Sequence, residues 1–436
     1  MLLVYTHKLT PRLTYTFKHF FTRILQIQVD FTTKVEDFIA HDGLKLTYGK
    51  QPLGNEIFIK STNLLFEQGI NDVDVNMGKW SGVECFFQTR QEASIPFDVF
   101  AATFYLLSRY EEYLPHRKDE HERYPAEESL AFKHQFLHKP LIDIWAYKFK
   151  DILLEKFPET ELKQRSFEFI STIDVDIAYC FKHKGVIRTF AGYFRDLSRF
   201  RLLDLWYRTM VIFGFTKDPF DTFEELISFQ KQYGIKTTFF FSVGGYTTFD
   251  KNTSSRNSSY QSLIKSVADY AQVGLHPSYF SSKDESILQK EKLRLESIVN
   301  RPIEKSRQHY LRFDLPETYQ NLVNLEINED YTMGYAGHYG FRASTCTPFY
   351  FYDLEYEIQT PLKVFPFAVM DGTLKDYLKL PNKKSFEIII DLANQVKKVD
   401  GTFITLFHND TLSNRYRWRR WRKIYIDMFK KLSPLT

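Results

Sequence analysis

A chain of 436 residues, 43% of them hydrophobic, is long for one ordinary core and short for three, so two domains are expected, each able to bury its own core. Forty-two Phe and 27 Tyr bring the aromatic share to 17% while Gly (18) and Pro (16) are sparse, which excludes a disordered or linker-rich chain. The 58 basic and 54 acidic residues leave a net charge of only +4, which argues against nucleic acid as a partner, and Cys85, Cys180 and Cys346, without a CxxC pair, fit a reducing, cytoplasmic compartment.

The opening stretch MLLVYTHKLTPRLTYTFKHFF is broken by His7, Lys8, Pro11, Arg12 and Lys18 before an apolar signal core can form, so export through it is not expected. No window approaches the roughly 18 uninterrupted apolar residues of a membrane span, and the chain reads as soluble or at most membrane-peripheral. From about 24 to 90, the β-type runs ILQIQVDF, KLTYG and EIFIKS alternate with Gly, Asn and Asp turns and predict a small, partly antiparallel sheet. Helices follow over 98–113, where Phe100, Phe104, Leu107 and Tyr110 share a face, and over 141–157. Together they predict an α+β domain over 1–163. Its histidines, His116, His121, His134 and His138, lack carboxylate companions at a strand end and read as surface residues.

Over 164–436, β runs alternate with amphipathic helices. The runs are SFEFISTIDVD (166–176), IKTTFFFSVGG (235–245), QVGLHPSYF (272–280), RQHYLRF (307–313), DYTMGYAG (330–337), KVFPFAVMD (363–371) and GTFITLFHND (401–410). Seven strands alternating with helices predict a parallel α/β barrel. A basic and apolar insertion over about 183–217 separates the first strand from its helix and reads as a helical lid or a membrane-surface contact. The last helix, with Trp418, Trp421, Tyr425, Met428 and Leu432 at helical spacing, reads as a closing helix whose aromatic stripe packs inward.

In such barrels the chemistry sits at the carboxyl ends of the strands. Asp174 and Asp176 end one run, His276 another, His309 a third, Asp371 a fourth and His408 a fifth. Two carboxylates at i and i+2 on one strand point to the same face, and like charges so close call for a cation. One as metal ligand and the other as general base satisfies that demand, whereas an isolated DxD is more often a helix cap or turn.

VGLHPSY and ITLFHND supply the context. With them, the chain resembles the polysaccharide deacetylase family (NodB homology, carbohydrate esterase family 4), in particular two-part proteins with an uncharacterised domain before the deacetylase-like one. The matching motifs occur in the family's order: Thr172-Ile173-Asp174-Val175-Asp176, Gly274-Leu275-His276-Pro277-Ser278, Arg307-Gln308-His309-Tyr310, Met370-Asp371-Gly372-Thr373 and Leu406-Phe407-His408. FYLLSRYEEYLP (104–115) and PLIDIWAYKF (140–149) are similar to the companion domain, so the resemblance spans nearly the whole chain.

The resemblance implies a distorted parallel (β/α)7 barrel of NodB type and a divalent metal, zinc first. It implies Asp174 as general base, Asp176 and His276 as metal ligands, and His408 as general acid. Arg307, or else Arg342 in GFRAST, matches the arginine that orients the base, and Asp371 matches the acidic motif, apt as that arginine's bidentate partner. The substrate implied is an N-acylated sugar or glycan. One position departs from the pattern: the family's second metal histidine falls on Phe280, which cannot ligate. A zinc site for catalysis uses three protein ligands, so His309, or else His338, is the expected replacement; a water there or loss of the metal are the alternatives. Two functions follow: a metal-dependent hydrolase removing an acyl group, and a catalytically silent deacetylase-fold module that binds glycans or serves as a scaffold.

Overall fold

The computed structural model describes residues 1–89 and 93–434. Near the amino terminus, strands β1 (Leu2–Thr6), β2 (Val29–Thr32), β3 (Leu44–Gly49) and β4 (Ile57–Lys60) form a sheet in the order β2-β1-β3-β4. All three pairings are parallel, which corrects the partly antiparallel expectation. The reason lies between the strands. Thr10 caps an α-helix over Pro11–Phe17 by accepting the Leu13 N–H, and π-helical turns over Lys18–Ile24 extend it, so Ile24 ends a crossover helix and the strand opens only at Val29. Crossovers of that kind are what parallel pairing requires. The antiparallel element here is the hairpin of β5 (Met77–Trp80) and β6 (Val83–Phe86).

The second sheet holds β7 (Glu168–Val175), β8 (Lys236–Phe241), β9 (Gln272–Leu275), β10 (Lys305–Ser306), β11 (Glu329–Asp330), β12 (Phe349–Asp353), β13 (Ile358–Val364), β14 (Val369–Met370) and β15 (Thr402–His408). Its order is β12-β13-β11-β10-β9-β8-β7-β15-β14, and every pairing is parallel except β12 with β13. The run predicted as one strand over 363–371 belongs to two, the end of β13 and all of β14. These stand far apart in the sheet order, yet only residues 365–368 join them, a span of at most about 17 Å for extended chain. The sheet is therefore strongly curled, bringing the carboxyl ends of its parallel strands toward one another. Pro361 inside β13 and the acidic turn before it hid the β12–β13 hairpin from the sequence pattern.

Amphipathic helices between the runs form over Phe223–Tyr233, Ser258–Ala268, Glu285–Val299, Glu317–Asn324 and Asn382–Lys397. The last helix starts later than its sequence pattern, at Trp421 after a left-handed Arg420, and buries Trp421, Tyr425, Met428 and Leu432. Helices Val186–Ser198 and Leu202–Ile212 fill the 183–217 segment. Among the described residues no helix is long and apolar enough to cross a membrane. All three cysteines are free thiols.

A buried charge network ties the amino-terminal region to the sheet. Arg342 donates Nε to Glu112 Oε1 (2.9 Å) and Nη2 to Oε2 (2.6 Å), and Arg109 Nε reaches the same Oε1 at 2.7 Å. Burial alone would raise the Glu112 pKa, but the two guanidiniums outweigh it and hold it at about 2. Arg342→Ala leaves Glu112 to Arg109 alone, so it is expected to lower the unfolding free energy by up to the about 3–5 kcal/mol that a fully unmatched buried charge costs, measured by denaturant titration at neutral pH. A depressed carboxyl pKa contributes stability that is complete above the unfolded value near 4.5 and is lost as pH falls toward 2, so wild type and variant should converge across that window.

Candidate active site and metal centre

The site forms where β7, β9, β10, β14 and β15 end. β7 and β15 pair in register along their length, with Asp174 opposite His408. His276 follows β9 and donates its backbone N–H to Phe241 O, while Arg307 follows β10 and donates to Leu275 O. The turn after Arg307 brings His309 beside His276, their ring centroids 4.9 Å apart.

Asp176 stands among three imidazoles. His276 Nε2 lies 3.1 Å from its Oδ1, and His309 Nε2 and His408 Nε2 lie 3.6 and 3.7 Å from its Oδ2. Each imidazole is held from behind through Nδ1: His276 by the Arg307 carbonyl (2.6 Å), His309 by Asp250 Oδ1 (2.8 Å) and His408 by Asp371 Oδ1 (2.8 Å). A carbonyl can only accept, so His276 carries a proton on Nδ1 and turns Nε2 inward. That Nε2 faces Asp176 Oδ1, a buried oxygen with no hydrogen-bond partner among the described residues. A proton or a metal cation between the two atoms, 3.1 Å apart, would satisfy both.

Electrostatics agree. Burial opposes ionisation of Asp176, yet His309, His276 and His408 hold its pKa well below the usual carboxylate range. Burial likewise opposes protonation of His309, but Asp176 and Asp250 outweigh it and raise its pKa to about 9. His408 is raised well above the ordinary imidazole value, because Asp371, then Asp176 and Asp174, outweigh its desolvation. The cluster thus attracts positive charge, and the ligand atoms of Asp176, His276 and His309 lie within 4.8 Å of one another. One carboxylate and two imidazoles with open space beside them suit zinc, and groups behind each ring to fix its tautomer are usual at such centres.

Asp174 is buried, its Oδ1 accepting from Arg307 Nη1 (3.0 Å), which also reaches Thr172 Oγ1 (2.7 Å); Arg307 Nε donates to Tyr331 O. The bidentate partner foreseen for this arginine is not Asp371. That carboxylate is spent on His408, accepting from the ring Nδ1 and the backbone N–H, and on the Thr411 hydroxyl. Arg342 lies away from the cluster, fully engaged by Glu112 and Gly334 O, its guanidinium over Phe313. His338 is equally distant in role, pairing with Glu127 (2.7 Å). Phe280 is half exposed and packs edge-on to Phe249 and Tyr279.

The cluster opens into a cavity of about 270 Å³ whose wall includes Asp174, Asp176, His276, His309 and His408. Two residues of the site went unforeseen. Asp250, in the loop after β8, orients His309 and accepts the Tyr279 N–H; its place in a strand-end loop was the available signal. Gln308 lines the cavity with both side-chain amide atoms buried and unpartnered among the described residues, and only its position between Arg307 and His309 hinted at it. Arg123, from the amino-terminal region, reaches the rim and donates to Tyr310 O.

A family model described as a family of unknown function (DUF7033) matches residues 2–158. No curated protein matches the chain. Among solved structures it is similar to a Mycobacterium smegmatis protein assigned as a polysaccharide deacetylase, at 14% identity over 63% of this chain and 87% of that one, with a TM-score of 0.40. A polysaccharide deacetylase from Bacillus cereus matches at 11% identity over 62% of this chain and 88% of its own, with a TM-score of 0.29. A CE4 family pseudoenzyme from Bacillus anthracis matches at 10% identity over 64% and 74%, with a TM-score of 0.30.

Proposed function

We propose that this chain is a metal-dependent hydrolase that removes an acyl group, most simply acetyl, from the nitrogen of an N-acylated sugar or glycan. Residues 164–436 would then form a distorted (β/α)7 barrel and 1–163 a companion domain. The observation that carries the reading is the convergence, in one cavity, of a three-donor set (Asp176, His276, His309) with a buried carboxylate (Asp174) and an oriented imidazole (His408).

Asp176, His276 and His309 would hold the ion; when bound, a divalent metal acidifies water and polarises an acyl oxygen. Asp174, clamped by Arg307 through a charge-assisted hydrogen bond, is positioned to accept the proton of the attacking water. His408 stands across the strand pair with Nδ1 tied to Asp371, so Nε2 is the atom that delivers a proton to the departing amine. Gln308 offers a donor and an acceptor to the polar groups of a sugar. The silent-module alternative drew on Phe280, and His309 beside His276 weakens that ground.

The test is acetate release from N-acetylglucosamine oligomers by the purified full-length protein. Turnover that stops on chelation and returns with zinc is expected. A protein that carries stoichiometric zinc yet releases no acyl group from any N-acylated sugar would support the silent glycan-binding or scaffolding module instead.

A further inference from the structure

The helical pair Val186–Ser198 and Leu202–Ile212 is built the reverse way from an ordinary soluble hairpin. A charged pair is buried between its helices. Arg208 donates Nε and Nη2 to Asp196 Oδ2 at 2.9 and 2.6 Å, both residues being buried, and Tyr193 Oη meets Thr209 Oγ1 at 3.0 Å. Gly192 lets the helices close on this pair, since a Cβ there would stand 2.6 Å from Arg208 Nη1.

Apolar side chains face outward instead. Ile187, Phe190, Phe194 and Leu197 recur at helical spacing on one exposed face, continued by Phe200 (88% exposed), Leu203 (83%) and Trp206 (63%) and by Phe213 and Phe215. Single exposed apolar residues need no explanation, but a contiguous patch of this kind marks a contact surface.

Charge indicates what it contacts. Residues 182–217 contain eight lysines and arginines against two aspartates, a net +6 in a chain whose total is +4. Both aspartates are already used, Asp196 by Arg208 and Asp204 by Arg415. Arg199 and Arg201 form no ion pair among the described residues, nor do the exposed Arg419 and Arg420, which follow the hairpin contact made by Arg415 on Tyr207. The 13 and 11 residues of the two helices extend about 20 Å at most, too short to cross a hydrocarbon core of about 30 Å but suited to lying in its surface.

We propose that this hairpin docks the protein on an anionic phospholipid bilayer, with the Phe and Leu side chains in the acyl boundary and the arginines among the headgroups. The hairpin leaves the sheet just after Asp176 and adjoins the cavity rim, Arg188 donating to Asn252 O next to Lys251 of the cavity wall. Docking there would present the site to N-acylated sugars carried at a lipid surface, a clause that rests on the proposed hydrolase activity, whereas the docking does not.

Flotation of the full-length protein with vesicles tests it. Binding to an equal mixture of phosphatidylcholine and phosphatidylglycerol, weak binding to phosphatidylcholine alone, release by high salt and a blue shift in Trp206 emission are expected. The combined Phe190→Ser, Phe194→Ser and Leu203→Ser variant, and separately Arg195→Glu with Arg199→Glu and Arg201→Glu, should each lower vesicle partitioning at least about tenfold while the thermal transition is retained. Equal partitioning of either variant and wild type overturns the proposal. So does a concentration-dependent dimer that ignores vesicles and is dissociated by the serine variant, which would assign the face to a second copy. These readouts record binding alone, so failure of docking is distinguishable from failure of the hydrolase reading.

Discussion

His309→Ala is expected to abolish stoichiometric zinc binding and to remove acyl release with it. His309 supplies the third donor beside Asp176 and His276, and among the described residues these three are the group whose ligand atoms come within 4.8 Å of one another. Without it, one carboxylate and one imidazole remain, too few to hold zinc in a site built for catalysis. Removing only the group behind a ligand ring ordinarily costs about 10–100-fold in metal affinity, so Asp250→Ala should fall in that range and His309→Ala well beyond it. Competition against a zinc-sensitive dye, with elemental analysis of the dialysed proteins, measures both. Phe280→His alone should not rescue His309→Ala, because Phe280 packs on the outer aromatic cluster with Phe249 and Tyr279. Undiminished zinc affinity in His309→Ala would sink the assigned donor set.

Asp174→Asn and His408→Ala should each lower kcat by about 10²–10⁴-fold while leaving zinc content unchanged, the cost usual for losing a positioned base or acid. The two faults should be separable from ligand loss by metal analysis and from each other by substrate. A substrate whose leaving amine is a good leaving group relieves the need for His408 but not for Asp174. Asp371→Asn removes the carboxylate that holds the His408 ring and backbone, so it should lose part of the same activity, again without loss of metal. Equal rescue of both variants by the activated substrate would refute the division of roles.

The sequence already contained the alternation of strand and helix, and with it the parallel character of the larger sheet, because period-2 and period-3.6 patterns are local properties of the chain. It also placed Asp174, Asp176, His276, Asp371 and His408 at strand ends, since each stands at the polar edge of an apolar run. The parallel pairing of the amino-terminal sheet escaped because its crossover helix opens with a Thr-Pro start inside a mixed apolar segment. Whether His309 or a water completes the donor set is set by the register of β10 against β9, with Arg307 N–H on Leu275 O, and no spacing along the chain encodes that pairing. Motif order favoured Arg307 over Arg342 without showing what either touches. Only folding brings one to Asp174, 133 positions earlier, and the other to Glu112, 230 positions earlier. Local periodicity thus determined which residues could take part, and the register of distant strands decided which of them meet, because hydrogen bonds between strand ends depend on pairings far apart in sequence.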